Sequence, residues 1–267
     1  MSAAVTRPGL VNGKVAIVTG VGPGLGRATA LALAREGAAV VLVARNAERL
    51  DDVAAEIAGS GGQALAVAGS VTKPEDCERI ALRAVEEFGA IDIVVNSAFR
   101  GDAFQSVADA DLDVWRKIIE VNFFGPVNMT RACLPALRAS GAGSVVMVAS
   151  QSARKIRPNE AGYAASKSAL ITVTRSLATE LAVDHIRVNA VVPGWIWGPN
   201  VQMYVDWQMS SRGLSREDVI NEITREIPLG EIPPQEDIAE SIVFFASGMA
   251  RMITGQTLDV NGGEYFG

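Results

Sequence analysis

The chain has 267 residues, with 24 Lys plus Arg against 30 Asp plus Glu and a formal charge of −6. That acidic balance excludes a protein that grips nucleic acid or an anionic membrane through a basic face. A hydrophobic share of 49% against 20% charged residues lets the chain bury a substantial core and excludes disorder as its main state.

The N-terminal residues up to Asn12 lack the apolar stretch of a signal peptide. No apolar run approaches the roughly 18 residues of a membrane span, so a cytoplasmic protein with no membrane partner is expected. Short runs rich in Val and Ile then recur at residues 15–19, 40–43, 64–67, 91–96, 145–149, 186–192 and 258–260. Between them, helical spacing predicts helices over 24–36, 47–58, 74–88, 111–137, 161–182 and 236–245. Strands that are apolar throughout belong in a parallel sheet covered on both faces, so the alternation predicts one doubly wound α/β domain over residues 1–267. Residues 195–234 read as one long irregular segment with no strand, carrying Trp195, Trp197 and Trp207, and as a candidate lid over a site. Cys77 and Cys133 are too few for a disulfide framework and have no metal-ligand spacing. The single histidine, His185, removes His-based triads and zinc motifs, so no metal site is expected and acid or base chemistry must use another side chain.

After the first strand the sequence runs Thr19-Gly20-Val21-Gly22-Pro23-Gly24-Leu25-Gly26. Glycines between a strand and a helix let a pyrophosphate approach the N–H groups at the helix start, where the dipole favours negative charge. An ordinary βα turn also favours glycine; the strand-turn-helix setting points to dinucleotide binding. At the end of the second strand, where an acid would accept the adenosine ribose hydroxyls of NAD, the chain has Ala44 and then Arg45. A forked guanidinium pairs with a 2′-phosphate, so NADP(H) is expected, with NAD(H) as the alternative if Arg45 only opens the next helix.

Tyr163 and Lys167 stand at i and i+4, on one face of a helix. Ser150 closes the fifth strand, and Asn122 lies within an otherwise helical stretch. Together with Pro193-Gly194, these residues and the glycine turn resemble, in order and spacing, the short-chain dehydrogenase/reductase family, and the likeness spans nearly the whole chain. The resemblance implies a Rossmann fold with a seven-stranded parallel sheet of order 3-2-1-4-5-6-7, a nicotinamide cofactor, no metal and a homotetramer. It places the cofactor against Gly20, Gly22, Gly24, Leu25, Gly26 and Arg45, then Ser70, Val71, Asn96 and Ala98, and finally Tyr163, Lys167, Pro193, Gly194 and Ile196.

In carbonyl reduction the oxygen becomes an alkoxide and needs a proton donor, the role expected of Tyr163. A free phenol near pKa 10 is a poor base at neutral pH, and lowering it by about 3 units takes roughly 4 kcal/mol of anion stabilisation. Lys167 and the positive nicotinamide ring are expected to supply this, while Ser150 donates a hydrogen bond to the substrate oxygen. By resemblance, Lys167 also holds the nicotinamide ribose and Asn122 orders a water that relays protons to it. The chain departs from the family at three points: Ser70 where an acid usually meets the adenine, Phe99 where glycine is usual, and Gly198 where a threonine often contacts the carboxamide.

The apolar residues from Trp195 to Met209 suit either a pocket for a bulky hydrophobic substrate or a lid core or subunit interface. His185 reads as a surface residue. The expected activity is interconversion of a secondary alcohol and a ketone. A 3-ketoacyl thioester reductase and a catalytically silent nucleotide sensor are the alternatives.

Overall fold

A computed structural model describes residues 8–267; Met1–Arg7, part of the segment read as lacking an export signal, lies outside the described residues. The Val- and Ile-rich runs form β1 (Val15–Thr19), β2 (Ala39–Ala44), β3 (Gln63–Ala68), β4 (Ile93–Asn96), β5 (Ser144–Val148), β6 (Arg187–Pro193) and β7 (Thr257–Val260). They pair in parallel in the order β3-β2-β1-β4-β5-β6-β7, as expected. β1, β4 and β5 are buried along their whole length, which is why their sequences show no polar alternation.

Helices α1 (Leu25–Arg35), α2 (Ala47–Gly59), α3 (Pro74–Phe88), α4 (Leu112–Ile119), α5 (Gly125–Ser140) and α6 (Ala161–Glu180) follow the first five strands, with α4 and α5 both after β4. After β6 come α7 (Pro199–Arg212), α8 (Arg216–Thr224) and α9 (Gln235–Ala246). One core joins a face of the sheet to α1, α2 and α9, with Leu33, Leu50, Ile238 and Ile242 fully buried. The other joins the opposite face to α3, α5 and α6 through Ile80, Met129, Leu137 and Leu170. Local signals set the ends of α3: Pro74 supplies a preset first turn, and Gly89 stops the helix at φ 79°.

Two expectations are corrected. The helix predicted over 111–137 is α4 and α5 separated by a π turn, Glu120–Phe124, which widens the ladder by one residue and buries Asn122. Residues 195–234 are not irregular: α7 and α8 pack a small core of their own, with Val205, Val219 and Ile227 buried. Among the described residues no helix is long and apolar enough to cross a membrane.

Candidate active site

The strand order reverses between β1 and β4, and a reversal of this kind leaves a crevice outside the C-terminal strand ends. A cavity of about 330 Å³ lies there. Its floor is the turn from β1 to α1. Gly20 adopts φ 76°, which L side chains avoid, and a Cβ there would lie 2.5 Å from Ala98 Cα. A Cβ at Gly26 would lie 2.2 Å from the Gly20 carbonyl oxygen, so α1 starts in contact with the turn. Gly22 and Gly24 differ: a Cβ would find no protein atom nearer than 4.0 Å and 3.8 Å, so packing does not demand their small size. No side chain caps the first N–H groups of α1, and its first turn carries no acid. Bare N–H groups at the positive end of a helix, beside space left by two glycines, fit the pyrophosphate of a dinucleotide.

Ser150 follows β5, Tyr163 and Lys167 lie one turn apart on α6, and all three line the same cavity. The Trp115 ring of α4 packs on Gly162 so closely that a Cβ there would lie 2.7 Å from it. Lys167 is buried; its Nζ donates to the Val148 carbonyl at 2.7 Å and lies 5.7 Å from the centre of the Tyr163 ring. Ser150 Oγ accepts the Ser152 N–H at 3.2 Å and keeps its own proton to donate. Burial pushes the Tyr163 phenol up to about 12, against a downward pull from the Ser150 hydroxyl and with a smaller push from Glu160. Burial also pulls the Lys167 amine down to about 7. In the chain by itself desolvation is the largest influence on both groups, raising the phenol and lowering the amine.

Asn122 spends its side chain on structure. Oδ1 accepts the Arg100 N–H at 2.7 Å, and Nδ2 donates to the Arg100 carbonyl and the Ser166 hydroxyl, each at 3.0 Å. Of the residues expected to hold cofactor, Pro193, Gly194 and Ile196 also line the cavity. Arg45, Ser70, Val71, Asn96 and Ala98 do not. Arg45 is exposed and pairs with no acid among the described residues, next to Asn46, which caps α2. The Ser70 N–H is taken by Asp76 at 2.9 Å, and Val71 is buried with its carbonyl bonded by Asn128 at 3.1 Å. Asn96 turns its amide to Thr130 and Met147, and the Ala98 N–H bonds to Thr19 Oγ1 at 3.3 Å.

The apolar residues from Trp195 to Met209 divide between two settings. Trp195, Ile196 and Val201 line the cavity; Met203 and Trp207 are 65% and 60% exposed and do not. Phe99 lines the cavity and is 53% exposed, so it is not packed away beneath the lid. Sequence reading missed Gln235, which lines the cavity and donates to the Trp197 carbonyl at 3.2 Å. It also accounts for Gly198, where a Cβ would lie 2.6 Å from Gln235 Nε2. Nothing local to residue 235 signals this. The buried Glu264 carboxylate pairs with Lys155 at 3.1 Å and Arg157 at 2.9 Å. Lys155 also reaches Glu226 beyond α8, and the Arg157 guanidinium lies 4.4 Å from the centre of the Trp195 ring. Among the described residues no three His, Cys, Asp or Glu side chains group to hold a metal. His185 is exposed.

A dinucleotide crevice with a hydroxyl, a phenol and an amine at its far end belongs to the oxidoreductases of Rossmann type. Residues 20–264 match the family model described as enoyl-(acyl carrier protein) reductase. Human dehydrogenase/reductase SDR family member 4 is 37% identical over 262 residues, covering 98% of this chain and 91% of its own. The 3-oxoacyl-(acyl-carrier-protein) reductase of Thermotoga maritima is 33% identical over 255 residues, covering 95% and 98%. The solved structure of L-sorbose reductase from Gluconobacter frateurii complexed with NADPH and L-sorbose matches with a TM-score of 0.91 at 31% identity, covering 97% of this chain and 98% of that one. The chain belongs to the short-chain dehydrogenase/reductase family, whose members use a nicotinamide cofactor, and it is an oxidoreductase.

Proposed function

We propose that the protein interconverts a secondary alcohol and a ketone with NADP(H), on a single Rossmann domain whose residues 195–234 act as a substrate lid. The observation that carries this reading is that Ser150, Tyr163 and Lys167 line the same cavity as the glycine turn. The nicotinamide, when bound, supplies or takes up the hydride. Ser150 donates a hydrogen bond to the substrate oxygen, and Tyr163 gives that oxygen a proton in reduction or takes one in oxidation. A phenol that burial keeps protonated is ready for reduction as it stands; the oxidation direction needs the anion, so its kcat should rise with pH while reduction falls. Lys167 holds the nicotinamide ribose. A water relay through Asn122 would run from its main chain, because its side-chain amide is already bonded.

Trp195, Val201 and Phe99 favour a ketone with an apolar body. A 3-ketoacyl thioester is the second reading, supported by the likeness to the Thermotoga reductase. The test is turnover of apolar ketones, ketoacyl thioesters and polyols by the wild type and by Tyr163→Phe. The variant should lose turnover yet bind nucleotide within a few fold of wild type, at about the cost of one lost hydrogen bond. Retained turnover would remove Tyr163 from the mechanism, and absence of wild-type turnover across the panel would leave a nucleotide sensor.

An exposed Arg45 with no acidic partner among the described residues supports NADP(H), as does the NADPH complex of the sorbose reductase. NADPH should exceed NADH in kcat/KM by about tenfold or more, and Arg45→Ala should remove most of that margin, the worth of one charge-assisted phosphate contact. Equal values in the wild type would overturn the assignment.

A further inference from the structure

Helix α6 begins without a cap of its own. The N–H groups of Ala161, Gly162 and Tyr163 have no carbonyl one turn back, since the ladder starts with Ala164 N–H donating to the Glu160 carbonyl at 2.8 Å. Glu160, in the N-cap position, makes no side-chain cap; its Oε2 accepts from the Ser152 hydroxyl at 3.1 Å instead. The missing acceptor comes from the loop after β4. Asp102 Oδ2 accepts the Tyr163 N–H at 2.9 Å, while Oδ1 accepts the Ala103 N–H at 2.8 Å. A carboxylate at the positive end of a helix also suits the dipole.

The next peptide along is held from another side. Ser166 Oγ donates to the Tyr163 carbonyl at 2.7 Å and accepts from Asn122 Nδ2 at 3.0 Å. Asn122 in turn holds both backbone groups of Arg100, two residues before Asp102. The loop is thus pinned at 100 and at 102, and Phe99, beside the first pin, forms part of the cavity wall. Helix ends fray first, and the reacting hydroxyl belongs to the third residue of this one.

On the redox reading above, we propose that Asp102 is a positioning residue: it caps the catalytic helix across the cleft, fixes the Tyr163 backbone, and couples the Phe99 wall to the proton donor. Asp102→Ala should lower kcat about tenfold or more, because small misplacements of a reacting group are costly, and leave nucleotide Kd within about twofold. Asp102→Asn keeps an acceptor oxygen and should retain about half the wild-type kcat or more. Hydrogen exchange over residues 160–167 should quicken in Asp102→Ala and not in Asp102→Asn. Thermal unfolding of each variant separates lost position from lost fold, and Asp102→Ser replaces the alanine variant should that one not fold.

The proposal is overturned by an alanine variant with wild-type kcat, by an asparagine variant as impaired as the alanine one, or by unchanged exchange. Absence of wild-type turnover on every substrate class overturns the redox reading instead, and the exchange comparison then decides by itself whether Asp102 holds Tyr163.

Discussion

Lys167 carries its charge at a cost that depends on pH. Burial holds the amine near 7, whereas in the unfolded chain it titrates near 10.5. Between those values the unfolded chain binds the extra proton, so folding stability rises with pH through this window and is lost as pH falls toward 7. At 1.36 kcal/mol per unit, the whole window is worth about 5 kcal/mol at most. The urea midpoint of the nucleotide-free protein should therefore climb between pH 7 and pH 10, and Lys167→Met should abolish most of that climb. A wild type as flat as the variant would show that the amine stays charged. Tyr163, pushed the other way, opposes the climb only from about pH 10 upward, where the unfolded phenol ionises before the folded one.

At the scale of the element, the glycine turn separates two demands that look alike in sequence. Gly26→Ala drives a methyl onto the Gly20 carbonyl oxygen and should cost about 1–3 kcal/mol as overpacking. Gly22→Ala meets open space, so its stability should stay within about 0.5 kcal/mol of wild type while nucleotide affinity falls. Urea midpoints and nucleotide Kd for both variants check this; the reverse pattern would mean that Gly22 serves packing. The turn and the Tyr163–Lys167 pair were legible because each is a short-range pattern, a strand-to-helix junction or an i,i+4 spacing. Asp102 was not, since its partner stands 61 residues further along the chain. The π turn escaped because one extra residue barely disturbs the apolar spacing of α4 and α5. Helices α7 and α8 escaped for a different reason: α7 buries Val201 and Val205 yet exposes Met203 and Trp207, so no single apolar face betrays its period.

Across the whole molecule, the sheet assigns tasks to its two halves. The half from β1 to β3 presents the glycine turn and Arg45; the half from β4 to β7 presents Ser150, α6, α7 and α8, and the two meet where the strand order reverses. The doubly wound α/β class was readable from composition and rhythm, because buried strands such as β1, β4 and β5 cannot hide their Val and Ile, whereas the strand order came from the family resemblance. Two kinds of ion pair meet at Lys155. Lys155 and Glu226 are 33% and 63% exposed, while the Glu264 side chain is wholly enclosed. Dissolved electrolyte weakens the first far more than the second, since its screening length shrinks from about 8 Å at physiological concentration to about 3 Å at 1 M. Raising the salt concentration should therefore loosen the Lys155–Glu226 pair while the enclosed Glu264 pairs hold.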